Sequence, residues 1–102
     1  MIPLIVQTTC GSKKEAKKIA KELILKRLAA CVQITKCDSI YEWKNEICND
    51  KEYLLNIKTK KRNFEKVESK IKELHSYDLP EIIAIKMTNC SNEYKKFIAK
   101  SC

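Results

Sequence analysis

The segment EYLLNIKTKKRNFEKVESKIKEL, residues 52–74, decides the fold, because its hydrophobic period changes midway along it. Up to Lys60, apolar and polar residues alternate, which is typical of a half-buried strand. From Arg62 or Asn63 onward, apolar residues recur every three or four positions, which predicts a helix with one buried face. The apolar residues are Tyr53, Leu55 and Ile57 in the strand and Phe64, Val67, Ile71 and Leu74 in the helix. The segment therefore predicts a strand that leads directly into an amphipathic helix.

Upstream of this segment, the chain predicts a strand, a helix and a second strand. Pro3–Cys10 is a short run rich in β-branched residues and predicts the first strand. Ser12 can cap the helix that follows, and Glu15 stands at the capping-box spacing. The apolar face of that helix comprises Ala16, Ile19, Ala20, Leu23, Ile24 and Leu28. Residues 30–41 predict the second strand, and the polar residues 42–51 predict a connector to the third.

Downstream of the segment, Pro80 separates the second helix from a last predicted strand, residues 81–87. Residues 92–100 predict a short terminal helix. The order of elements is thus β-α-β-β-α-β with one further helix. Right-handed crossovers in both β-α-β halves place the two main helices on one face of a four-stranded antiparallel sheet. We therefore expect a single α+β domain with a ferredoxin-like fold over residues 1–102.

The other face of this sheet is expected to be apolar and uncovered in a single chain. In the last strand, Ile82 and Ala84 point to one side and Ile83, Ile85 and Met87 to the other. One of these two sets has no helix above it. Because an uncovered apolar face is typical of a protein interface, the pattern predicts self-association.

The composition limits the classes of protein to which the chain can belong. It has 102 residues, a net charge of +8 and six cysteines without a C-x-x-C pair. The positive charge lies mainly on the predicted helices, where lysine-rich faces are usually solvated. No apolar run is long enough for a signal peptide or a membrane span. We therefore expect a cytoplasmic chain with free thiols and no membrane partner.

Enzymes and RNA-binding domains are both disfavoured by the motifs. The chain has no G-x-S-x-G, Walker A or G-x-G-x-x-G motif, so we expect no catalytic activity. The RNA-recognition motif shares the order of elements, but it needs aromatic residues on its two central strands. The first strand has none and the third offers only Tyr53, so no specific nucleic-acid partner is predicted.

Four short stretches, taken together and in this order, resemble the CutA family. They are LAACV at residues 28–32, SIYEWKNEI at residues 39–47, IKT at residues 57–59 and HSYDLPEI at residues 75–82. Where the family usually has glycine after the tryptophan-lysine pair, this chain has Asn45, the non-glycine residue that best tolerates a positive φ. The resemblance implies a homotrimer with a ferredoxin-like fold and a role in divalent-cation tolerance, above all for copper. It also implies a likeness in architecture to trimeric PII-type signalling proteins.

The candidate ligand-binding cleft combines residues from these stretches. Its members are Cys31, Trp43, Lys58, His75, Tyr77 and Glu81. Lys58 and Glu81 could form an ion pair in such a cleft. Each member also has a purely structural alternative: Cys31 suits a small buried position, and His75 could simply cap a helix. If the cleft lies between subunits, a small anionic ligand is the alternative to a metal ion.

His75 and Cys10 are the candidate metal ligands. His75 is the only histidine, imidazole is a common ligand for copper and zinc, and thiolates suit Cu(I). Some relatives carry a copper-linked cysteine in the first strand at the position of Thr8. Cys10 lies two residues later on the same strand face and could replace it. The metal is an optional ligand in this interpretation, since no cofactor is required.

Overall fold

The computed structural model describes all 102 residues and confirms the ferredoxin-like order of elements. The strands are β1 (Pro3–Cys10), β2 (Cys31–Trp43), β3 (Glu46–Lys60) and β4 (Ile83–Lys86). The helices are α1 (Lys13–Leu25), α2 (Phe64–Leu74) and α3 (Asn92–Ser101), and a short 3-10 turn, Lys61–Asn63, precedes α2. No helix is long and apolar enough to cross a membrane.

The four strands form one antiparallel sheet in the order β2-β3-β1-β4. The two central strands bring Val6 opposite Ile57 and Thr8 opposite Leu55, and all four side chains are fully buried. Helices α1 and α2 pack on this face through residues at helical spacing. The buried helix residues are Ala16, Ile19, Ala20, Leu23, Val67 and Ile71. The core therefore lies between the central strands and two amphipathic helices, as the sequence predicts. The exception is Ile24, which was predicted on the buried face of α1 but is 42% exposed.

Helix α1 begins as predicted but ends earlier. The Ser12 hydroxyl accepts a hydrogen bond from the Glu15 N–H at 3.2 Å. At the other end, Arg27 has a φ of 55°, and the Leu28 N–H bonds the Leu23 carbonyl at 2.9 Å. This is a Schellman motif in which arginine replaces the usual glycine. Leu28 was predicted on the face of this helix but lies beyond its end. The sequence did not reveal this end, because no glycine marks it.

The connector predicted at residues 42–51 is wrong, because these residues form the end of a long hairpin. Strands β2 and β3 pair without interruption up to Trp43 opposite Glu46. Lys44 and Asn45 form a two-residue turn with φ angles of 51° and 67°. Such a turn matches the twist of the strands and favours residues that tolerate a positive φ. Cross-strand pairing thus extends through a mostly polar segment, whose few apolar residues do not produce a regular alternation.

Strand β4 is shorter than predicted. Its residues also show which of the two predicted apolar sets has no helix above it. It pairs with β1 only from Ile83 to Lys86, so Glu81 precedes the strand. Ile82 packs against the core, whereas Ile83 and Ile85 are 46% and 47% exposed. The uncovered set is therefore the one that contains Ile83 and Ile85.

Candidate functional site

A pocket of about 400 Å³ opens where the β2–β3 hairpin meets the connection between α2 and β4. We call it the acidic aromatic pocket, and it is lined by Thr9, Tyr41, Trp43, Asp50, Glu52, Tyr77, Asp78, Leu79 and Glu81. The four hairpin residues share one face because side chains alternate along each strand. Thr9 comes from the end of β1, and the last four residues come from the α2–β4 connection. No lysine, arginine or histidine lines the pocket.

Two tyrosine hydroxyls bind carboxylates inside this pocket. Tyr77 donates to Glu52 Oε2 at 2.9 Å, and Tyr41 donates to Asp50 Oδ2. Burial, followed by the bond to Glu52 and its charge, raises the pKa of Tyr77 well above its usual range. The hydrogen bond to Asp50 is the main cause that raises the pKa of Tyr41 to about 12. Both phenols therefore remain protonated donors at neutral pH.

His75 connects the end of α2 to the end of β1 beneath the pocket. Its side chain is fully buried, Nε2 donates to the Thr9 carbonyl at 2.7 Å, and Nδ1 accepts from the Tyr77 N–H at 3.1 Å. This pattern corresponds to a neutral imidazole with its proton on Nε2. The ring also lies 4.7 Å from the Tyr77 ring, between centroids. The histidine thus positions Tyr77, whose hydroxyl reaches Glu52.

Cys10, Glu15 and His75 form a compact cluster with ligand atoms within 4.8 Å of one another. Cys10 Sγ lies 3.8 Å from His75 Nε2, and Glu15 Oε2 lies 3.8 Å from Nδ1. Glu15 Oε1 accepts from the Ser76 N–H, while Oε2 is buried without a hydrogen-bond partner. Burial and then the charge of Glu15 raise the pKa of the Cys10 thiol to about 12. The two predicted metal ligands are therefore adjacent, and a carboxylate joins them.

The six predicted cleft residues separate into two groups within one chain. Trp43, Tyr77 and Glu81 line the acidic aromatic pocket, and His75 supports it from below. Cys31 and Lys58 are partners across β2 and β3. Their position lies six residues along β3 from Glu52, or about 20 Å at the rise of a strand. Each chain therefore carries two separate parts of the predicted cleft.

Lys58 has a neighbour other than the predicted Glu81. Its Nζ lies 5.3 Å from the centroid of the Tyr94 ring on α3, and none of the four salt bridges of the chain includes it. An ion pair between Lys58 and Glu81 is thus absent within one chain, because the two residues belong to the two separate groups.

Four carboxylates of these sites were not predicted as site residues from the sequence, and one of them, Asp78, lies in the α2–β4 connection. Glu15 was assigned only a capping role, although it also faces His75 from the first turn of α1. Asp50 and Glu52 were assigned to a connector and to a strand start. The available signal was their spacing, since residues 50 and 52 share a strand face whenever β3 extends that far.

The chain is similar in sequence to known proteins over nearly its whole length. The family model described as CutA1 divalent ion tolerance protein matches residues 4–101. The divalent-cation tolerance protein CutA of Thermus thermophilus is 39% identical over 98 residues, which cover 95% of each chain. The protein of the same name from Pyrococcus horikoshii is 36% identical over 95 residues, which cover 93% of each chain.

Solved structures share the fold at high similarity. The periplasmic divalent cation tolerance protein CutA from Archaeoglobus fulgidus has a TM-score of 0.95 and 33% identity, covering 97% of both chains. CutA1 from Oryza sativa has a TM-score of 0.96 and 31% identity, covering 99% of this chain and 94% of that one. Family model, sequence relatives and structures agree, and the chain belongs to the CutA1 divalent ion tolerance protein family.

Proposed function

We propose that this chain is a non-catalytic, cytoplasmic homotrimer that acts in divalent-cation tolerance and binds copper. The relatives are named for tolerance of divalent cations and not for a reaction. The single observation that carries the copper assignment is the cluster of Cys10, Glu15 and His75, whose ligand atoms lie within 4.8 Å of one another. A thiolate and an imidazole form a donor set that suits copper, and the carboxylate adds negative charge.

Copper binding at this cluster requires a local rearrangement. The proton on His75 Nε2, which bonds the Thr9 carbonyl, must move to Nδ1 before Nε2 can offer a lone pair, so Nδ1 then no longer accepts from the Tyr77 N–H. The Cys10 thiol must also lose its proton to solvent. Glu15 Oε2 has no hydrogen-bond partner, so it can approach a cation without breaking a bond. The cluster is buried, and the rearrangement would therefore couple metal binding to the junction between β1, α1 and α2.

Calorimetric titration of copper with a competing chelator tests the assignment. Wild type should bind about one copper per chain, and both His75→Ala and Cys10→Ser should reduce the affinity at least about tenfold. Cys37→Ser is the matched control, because it removes a thiol from β2 away from the cluster. Equal copper affinity in all four proteins would show that the cluster is not the copper site and that the role of His75 is structural.

The trimer is supported by the apolar surface that one chain leaves uncovered. Ile83 and Ile85 lie on the face of the sheet opposite α1 and α2, and the distal hairpin exposes Ile40 and Ile47. Burial of such residues contributes about 25 cal/mol per Å², which favours association of a small domain. Light scattering coupled to size exclusion should give about 36 kDa, three times the 11.9 kDa of one chain. A mass near that of a single chain would contradict the trimer.

The cytoplasmic assignment is supported by the cysteines. All six are free thiols in the folded chain, which fits a reducing compartment. Thiol titration after denaturation under non-reducing conditions should therefore count six reactive groups per chain. Protein isolated with intact disulfides would contradict this assignment.

Specific nucleic-acid binding is not part of the proposal. The only aromatic residue of the two central strands, Tyr53, packs against the core on the helix side, so it cannot stack a base on the uncovered face. A filter-binding assay with single-stranded RNA should lose all binding at high salt.

A second candidate function is a PII-like signalling or scaffold trimer that binds a small anion between subunits. The observation in its favour is Lys58, which lies on the face of β3 opposite α1 and α2 and has no carboxylate partner. Thermal stabilisation by anions that disappears in Lys58→Met, with no effect of copper, would favour this candidate over the first.

A further inference from the structure

We propose that the acidic aromatic pocket binds a small organic cation with a quaternary or primary ammonium group. The inference goes beyond the proposed function, because it assigns a class of ligand to the pocket that Trp43, Tyr77 and Glu81 line. It requires neither copper nor a contribution from Lys58.

The first argument is the charge of the pocket. Four carboxylates line it, those of Asp50, Glu52, Asp78 and Glu81, and no basic side chain of the same chain lines it. The chain as a whole carries a net charge of +8, so the pocket is negatively charged although the protein is basic overall. A small pocket lined by one sign of charge attracts ligands of the opposite sign. The pocket therefore selects a cation.

The second argument is the burial of Glu52. This residue is only 7% exposed, and the Tyr77 hydroxyl is its single side-chain donor, bound at Oε2. No lysine, arginine or histidine forms a salt bridge with it. With one neutral donor and no basic partner, the Glu52 carboxylate leaves the negative charge of this part of the pocket without a counter-ion. A cation in the pocket would supply that counter-ion.

The third argument is the aromatic lining, which favours an ammonium group over a hydrated metal ion. Tyr41, Trp43 and Tyr77 line the same pocket, and aromatic faces attract ammonium and quaternary ammonium groups. A volume of about 400 Å³ suits a small organic molecule. Leu79 adds an apolar contact for the hydrocarbon part of such a ligand.

The spacing of the carboxylates separates this pocket from a metal site. No three of the four bring oxygen atoms within 4.8 Å of one another, and the only cluster of the chain that meets this spacing is Cys10, Glu15 and His75. A single metal ion needs ligand atoms that converge at about 2–2.6 Å from it. The negative charge is instead distributed around the pocket, which suits an ammonium group better than a single coordinated metal ion.

Trp43 makes the test direct, since it is the only tryptophan and lines the pocket. Its fluorescence is followed while the purified wild-type protein is titrated with tetramethylammonium chloride, sodium chloride at matched ionic strength, or magnesium chloride. We expect a saturable change with tetramethylammonium only. A response equal to that of sodium chloride would overturn the proposal, and so would a saturable response to magnesium alone.

Two variants and one control locate the binding. Glu52→Gln should weaken tetramethylammonium binding about tenfold, and the more exposed Glu81→Gln about threefold, because each removes one charge from the pocket. Glu65→Gln removes the same charge from the first turn of α2 and should leave binding unchanged. Equal affinity in all three variants would overturn the site. Copper affinity and trimer mass are measured separately, so their failure is distinguishable from failure of ammonium binding.

Discussion

The two ends of the β2–β3 hairpin contain the same pair of strands in very different surroundings. Near the sheet centre, Leu55 and Ile57 are fully buried beneath the helices. Beyond the helices, Ile40 and Ile47 are 71% and 80% exposed, although the ladder of strand pairing continues to the turn. The packed end is therefore stabilised by tertiary burial, and the distal end by strand pairing together with a few polar contacts such as the bond between Tyr77 and Glu52.

This difference shows that strand pairing and hydrophobic burial are separate contributions in one element. An isolated two-stranded hairpin is only marginally stable in water, so the distal end depends on its continuity with the packed end. Its exposed isoleucines add nothing to the stability of a single chain. They are better explained as surface reserved for other chains, in line with the proposed trimer.

Cysteine reactivity should show the largest difference, between the buried core at the end of β1 and the distal hairpin. Cys10 is buried with a pKa raised to about 12, so only about one thiol in ten thousand is ionised at pH 8. Cys48 lies half-exposed in the distal hairpin. We expect native Cys10 to be alkylated at least about a thousandfold more slowly than Cys48. Pulsed alkylation with mass spectrometry measures both rates in one sample, and similar rates would show that the β1 end opens readily.

Truncation in the packed end should reduce stability strongly. Ile57→Ala removes a fully buried side chain between the sheet and the helices. The expected loss in the free energy of unfolding is about 2–5 kcal/mol. Urea denaturation followed by circular dichroism measures it, and Val32→Ala, at a half-buried edge position, should cost less. A loss below about 1 kcal/mol for Ile57→Ala would contradict the assignment of the core.

Substitution at the distal end should instead affect assembly. Ile40→Ser combined with Ile47→Ser removes exposed apolar surface from the hairpin. If neighbouring chains cover this surface, association weakens by about 1.5–3 kcal/mol for each side chain. Light scattering over a dilution series should show dissociation at higher protein concentration than in wild type. An unchanged mass throughout would place the interface elsewhere on the chain.

The smallest effect is expected in the turn that closes the hairpin. Lys44 has a φ of 51°, a conformation that glycine adopts without strain, so Lys44→Gly should raise the free energy of unfolding by about 0.5–1 kcal/mol. Asn45→Gly should gain less, because asparagine already tolerates its φ of 67°. Lys44→Ala is the control and should give no gain. A larger gain for Asn45→Gly than for Lys44→Gly would contradict this explanation.

Local sequence patterns predicted those parts of the molecule whose signal lies within a few neighbouring residues. The alternation around Leu55 and Ile57, the helical spacing of Val67 and Ile71 and the cap at Ser12 all agree with the structure. Features without such a signal were mispredicted. The end of α1 at Arg27 lacks its usual glycine, and the distal hairpin pairs through polar residues.

The candidate sites depended on contacts between residues far apart in the chain. Cys10 and His75 were paired from their ligand chemistry, and the ferredoxin-like topology brings them within 3.8 Å. The site roles of Glu15 and Glu52 were recognised only in the structure, because they depend on contacts with His75 and Tyr77, which are far away in the sequence. Chemistry alone also could not separate Lys58 from Trp43, which the strand register places at opposite ends of the β2–β3 hairpin.

The sequence by itself determined the order of elements, the buried faces of α1 and α2 and the family, because periodicity and short motifs are local properties. Tertiary structure alone decided that Ile83 and Ile85 are uncovered, since this depends on the register between β4 and β1. It also assembled the acidic aromatic pocket from two strands of one hairpin, the end of β1 and a connecting loop. Their proximity follows from packing, which no short stretch of sequence encodes.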